Sequence, residues 1–99
     1  MDFKVFYTQA ALADLEAIME WSWEKHKGTS ERFAKALLNH VDLLKNFPYL
    51  GVPIKDFTGV RRLLHSPIHV YYRIDETRKF IEVLHFWHSA RQQPKTEGD

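Results

Sequence analysis

The chain contains no cysteine. That absence excludes disulfide staples, thiolate nucleophiles and Cys-ligated zinc, and it fits a reducing compartment such as the cytoplasm. There is no basic-then-apolar leader at Met1-Asp2-Phe3-Lys4, so nothing marks the chain for export. Apolar stretches break at charges or histidines too soon for a membrane span. No Gly-rich phosphate loop, nucleophile elbow or repeated acidic ligand pattern is present. His85 and His88 are three apart, which puts them on opposite faces of a straight strand, so no shared metal is expected, and no cofactor either.

The residues that are present describe an ordinary soluble globule. A chain of 99 residues hides about 65% of its unfolded surface, enough for one modest core and a single domain. The composition, 44% hydrophobic and 27% charged, is neither that of a disordered polyelectrolyte nor that of a membrane protein. The formal net charge of +1 conceals an uneven distribution, because five of the six arginines and four of the six histidines follow residue 58. Guanidinium presents a flat donor fork that matches phosphate, so this half points to an anionic partner; strand-face solubility explains the charge equally well.

The order of elements is set by periodicity. Residues 3–8 are β-branched and aromatic, predicting a strand, and Thr8 can cap the helix after it. From about Gln9 to Lys25, the residues Ala11, Leu12, Leu15, Ile18, Met19 and Trp23 recur at helical spacing against an acidic opposite side. His26-Lys27-Gly28 ends this helix, and a second one runs from about Ser30 to Asn46 with Phe33, Leu37, Val41 and Leu44 in its stripe. Phe47 to Pro53 reads as an ordered loop, because two prolines and a glycine stop the helix. Three strands then come at about 60–65, 68–74 and 80–88. In the middle one Ile68, Val70, Tyr72 and Ile74 alternate with His69, Tyr71 and Arg73, one face apolar and the other chemical. The predicted class is α+β, order β-α-α-β-β-β, with a helical hairpin on one face of a small, mainly antiparallel sheet. The domain is expected over residues 1–91, with a flexible polar tail at 92–99.

Lone histidines and tyrosines in strands are more often structural than catalytic. Context raises one group. Arg61, Arg62, Tyr71 and Arg73 come from two neighbouring strands, and His88 and Arg91 lie where the chain leaves the sheet. Such a cluster can hold a phosphodiester: the arginines neutralise developing charge, and an imidazole or phenol moves a proton, which suffices for metal-free cleavage through an RNA 2′-hydroxyl. It can equally form an anion-binding face without chemistry.

Several segments, in order and spacing, carry a family likeness: Val5-Phe6-Tyr7-Thr8 before Ala10 to Ile18; Leu44 to Gly51 with its Pro-x-x-Gly turn; Gly59-Val60-Arg61-Arg62-Leu63; Val70 to Ile74; and Ile81 to His88 with Arg91 after it. Over about residues 3–91 the chain resembles the RelE/ParE superfamily of bacterial type II toxin–antitoxin toxins. The resemblance implies a cytoplasmic, plasmid-stabilising toxin, neutralised by a cognate antitoxin in a hetero-oligomer or as a homodimer. RelE-like members cleave mRNA on the ribosome, whereas ParE-like members poison DNA gyrase. By position, Arg61 or Arg62, Arg73 and His88 or Arg91 fall where RelE-like proteins keep functional groups. Only Lys55 stands for the lysines some of those carry, no Tyr comes after His88, and the His-x-x-Arg ending is similar to the ParE-like side. Gyrase is therefore the expected target, with ribosome-dependent mRNA cleavage or a non-toxic binding module as alternatives. Trp21, Trp23 and Trp87 are candidate anchors for the antitoxin.

Overall fold

The computed structural model describes residues 2–25 and 30–89, with 21–25 and 30 by backbone alone. The Trp21 and Trp23 side chains, the His26-Lys27-Gly28 helix end, Arg91 and the 92–99 tail lie outside the described residues.

Strand β1 (Lys4–Tyr7) leads into helix α1 (Gln9–Lys25), and α2 (Ser30–Asp42) comes next. The Thr8 hydroxyl caps α1 as expected, accepting the Ala11 N–H at 3.0 Å. The second helix is shorter than its periodicity suggests. It tightens into a 3₁₀ turn at Leu43–Lys45, with the Asn46 and Phe47 N–H groups both donating to the Leu43 carbonyl. That turn rotates Leu44 fully into the core.

Four further strands complete the fold: β2 (Val52–Pro53), β3 (Val60–His65), β4 (Ile68–Asp75) and β5 (Phe80–His88). They give a five-stranded sheet in the order β1-β5-β4-β3-β2, antiparallel except for the β1–β5 pair. Strand β2 lies within a stretch whose composition marks it as a loop. Two residues carry no alternation to read, and Pro53 is tolerated because this is an edge. Strand β5, with apolar residues on both faces, sits inside the sheet between β1 and β4. The architecture is the expected α+β layout, two helices packed on a mostly antiparallel sheet.

Leu37 and Val41 of α2, Ala11 and Ile18 of α1, and Leu44 bury against Leu63, Ile68, Val70, Tyr72, Ile81, Val83 and Phe86 of the sheet. Leu12, read as part of the buried stripe, is instead 50% exposed. Together with Leu15 and Met19 it lines a shallow depression on α1. No helix among the described residues is long and apolar enough to cross a membrane.

Helix α2 also meets the sheet through a pair of histidines. The Nδ1 atoms of His40 and His65 lie 2.8 Å apart, one donating and the other accepting, so the contact requires at least one neutral ring. Phe33 packs edge-on to His65. Burial, reinforced by His40, holds the His65 pKa below that of an ordinary histidine. The unfolded chain therefore takes up a proton, near pH 6.5, more readily than the folded one. Stability from this contact is present above that pH and is lost as pH falls through the lower folded value. Melting temperature should accordingly drop more steeply below about pH 6.5 in the natural chain than in His65→Gln; parallel pH profiles would contradict the assignment.

Candidate functional site

Cross-strand partners share a sheet face, so the register assigns each candidate to a side. On the face away from the helices, Arg62 stands opposite Tyr71 and Tyr71 opposite His85. One row along, Arg73 stands opposite Glu82, with Nη1 3.6 Å from Oε1 in a half-exposed ion pair. In the other direction His69 stands opposite Trp87. Arg62, Tyr71 and Arg73 thus share this face.

Arg61 and His88 are not with them. Arg61 pairs with Tyr72 on the helix side and curls over the 49–51 loop. Its Nε and Nη2 both donate to the Gly51 carbonyl, at 3.0 and 2.7 Å, and Nη2 also donates to the Tyr49 carbonyl at 3.3 Å. The guanidinium lies 5.0 Å from the Tyr49 ring centroid. These bonds spend its planar fork on the fold. Tyr72 completes the same junction, its hydroxyl donating to the Pro48 carbonyl at 2.7 Å and accepting the Gly51 N–H at 2.9 Å. Burial raises the Tyr72 pKa, partly offset by the Gly51 N–H and by Arg61.

His88 is 9% exposed and pairs with Ile68, placing it on the helix side. The cause is a β-bulge. Tyr72 opposes Val83 but Tyr71 opposes His85, so Leu84 is an extra residue in β5. Simple alternation from Ile81 and Val83 would put residue 85 inward and residue 88 outward; the inserted residue reverses both. Phe86 and His88 turn toward the helices, and His85 and Trp87 turn away.

The bulge also lies where β1 has ended, since β1 pairs only with residues 80–83. Helix α1 satisfies the edge left beyond it. The Thr8 hydroxyl donates to the Leu84 carbonyl at 3.1 Å, and Asp14 Oδ2 accepts the Phe86 N–H at 3.1 Å. The same Oδ2 lies 2.9 Å from His85 Nδ1. Neither Asp14 nor His85 belongs to the six-residue cluster derived from the sequence. Asp14 reads there as part of a solvated helix face, and no local pattern links residues so distant along the chain.

His69 Nδ1 is buried without a hydrogen-bond partner among the described residues. Burial, and then the neighbouring Arg62 charge, lower the His69 pKa, keeping this imidazole neutral beside the guanidinium.

Known proteins share this architecture. The sequence matches, over residues 5–93, the family described as ParE toxin of type II toxin-antitoxin system, parDE. In structure it is similar to a protein of the chromosomal ParDE system from P. aeruginosa, with a TM-score of 0.72 at 24% identity, covering 87% of this chain and 95% of that one. It is also similar to a protein of the RelBE2 toxin-antitoxin complex from Mycobacterium tuberculosis, at 0.69 and 21%, covering 89% and 99%. A third similarity is to the archaeal RelE-RelB complex from Pyrococcus horikoshii OT3, at 0.64 and 15%, covering 93% and 100%. No curated protein matches in sequence. The chain belongs to the ParE toxin family of type II toxin–antitoxin systems.

Proposed function

We propose that this toxin acts as ParE-like members do, inhibiting DNA gyrase through a protein surface, in the cytoplasm, until a cognate antitoxin covers it. One observation carries the reading: of the groups expected to cleave message on the ribosome, Arg62, Tyr71 and Arg73 share the open face, but Arg61 is committed to the Gly51 junction and the His88 imidazole faces the helices, so that face lacks the imidazole expected there. The family match supports the same side. Stabilising a plasmid is the biological role that such a pair would serve.

The antitoxin is proposed to cover exposed apolar surface. Leu12 on α1 and Tyr49, Leu50, Val52 and Phe57 around the β2 edge are each close to half exposed, and side chains of this kind are what a partner helix or added strand would cover. Inducing the toxin alone should produce filamentation, DNA-damage signalling and altered supercoiling while protein synthesis continues. Co-expression of the antitoxin should restore growth. An early arrest of translation with normal supercoiling would reject the gyrase target.

A further inference from the structure

We propose that His40 and His65 form a chelating pair for a divalent transition cation, zinc above all, which fastens helix α2 to the end of strand β3. The inference is independent of the gyrase reading, since neither residue belongs to the open face, and the two can fail separately.

The pair unites two imidazoles that stand 25 residues apart in the chain and brings the same ring atom, Nδ1, of each to within 2.8 Å of the other. His40 comes from the last turn of α2, and His65 ends β3 on the helix side, two residues past the buried Leu63. Imidazole nitrogen is the commonest side-chain metal ligand and suits zinc, copper and nickel, and two imidazoles held by separate elements at this separation make a chelate.

The spacing fits zinc. The ring centroids stand 5.0 Å apart. A cation about 2.0 Å from each Nδ1, with both centroids left where they are, sees the two nitrogens at an angle of about 105°, near the tetrahedral value. Each ring has to tilt about its own centre by roughly 40° to aim its lone pair at that point. Both rings are only partly buried, so the tilt meets solvent and water can fill the remaining positions. No group of three or more His, Cys, Asp or Glu is gathered for a metal among the described residues, so the ligand set is two neutral nitrogens. Magnesium and calcium, which take oxygen ligands, find none of their own here.

The hydrogen bond described above is the metal-free form of the same pair. On binding, the hydrogen between the rings passes from Nδ1 to Nε2 of the donor ring, and both Nδ1 lone pairs face the cation; with both rings neutral, no net proton is released. Residues 40 and 65 bracket the 3₁₀ turn, the Gly51 junction and most of β3, so the cation closes that segment at its two ends. Because the unfolded chain does not hold the two rings together, binding stabilises the folded state.

The test titrates zinc by calorimetry into the full chain, purified without a histidine tag and stripped of metal. Binding should be one-to-one and saturate below about 1 mM. Zinc at about ten times the half-saturating concentration should raise the melting midpoint by about 5–10 °C, and magnesium should leave it unchanged. His40→Gln and His65→Gln should each weaken zinc binding about tenfold or more. Since either substitution also removes the hydrogen bond, ring-nitrogen NMR of the natural chain supplies a second reading: zinc should convert both rings to the Nε2–H form and shift both Nδ1 signals together. No binding heat, Nδ1 signals that stay in place, or zinc held equally well by both variants would overturn the proposal.

Discussion

Replacing Gly51 with Ala is expected to destabilise the protein by about 3 kcal/mol, a large share of the roughly 5–15 kcal/mol that holds a domain folded. A Cβ at Gly51 would lie 2.6 Å from the Arg62 carbonyl oxygen, 2.8 Å from its carbon and 2.9 Å from Tyr72 Cε1. Two of those atoms are backbone of β3, which is held by ladders to β2 and β4 and cannot retreat without breaking one. The third belongs to a tyrosine with no exposed surface. Relief by moving residue 51 would instead pull its N–H from Tyr72 and its carbonyl from Arg61. Thermal denaturation should show the midpoint falling by roughly 15 °C. Gly59→Ala is the control: no atom lies within 4 Å, and only the strain of φ +81° applies, costing about 1–2 kcal/mol. Equal losses at the two positions would refute the close approach as the cause.

Phe86→Ala should cost about 3–5 kcal/mol, the largest loss expected from one core truncation here. The ring is 1% exposed and stacks on Tyr7 with centroids 6.1 Å apart. Tyr7 comes from β1 and Phe86 from β5 beyond the bulge, so truncation leaves a void at the junction of first strand, last strand and helices. Urea denaturation gives the measurement. A loss below about 1 kcal/mol would mean the neighbours collapse into the space, against the rigidity that close packing implies. His85→Ala, one residue away but outward, should be close to neutral for stability, and the contrast tests the bulge register directly.

That register marks how far the sequence could be read. The alternation of His69, Tyr71 and Arg73 against Ile68, Val70, Tyr72 and Ile74 is legible because polar and apolar residues take turns, and the structure keeps both faces. In Phe80 to His88 no such contrast exists. An extra residue leaves no trace in a strand apolar on both sides, and counting by twos then reverses His85 and His88. Arg61 and Arg62 must lie on opposite faces, yet which one turns outward depends on pairing with Tyr72 and Tyr71, a long-range fact. The helical hairpin is legible from its stripes. The 3₁₀ turn at Leu43–Lys45 and the two-residue β2 are not, since each is shorter than one period of its own pattern. Asp14 has two interpretations until β5 arrives beside it: a solvated helix carboxylate, or the group that finishes a sheet edge and orients an imidazole.

The parallel pairing of β1 with β5 also bears on how the chain comes into being. Strand β1 has no partner strand until residues 80–83 emerge, and α1 cannot finish the β5 edge before then. Folding therefore awaits a closure between residues 4–7 and 80–83, the kind of distant pairing that slows formation. Any nascent fragment ending before Phe80 lacks the strand on which both α1 and β1 dock, so the sheet cannot close until residues 80–88 are made.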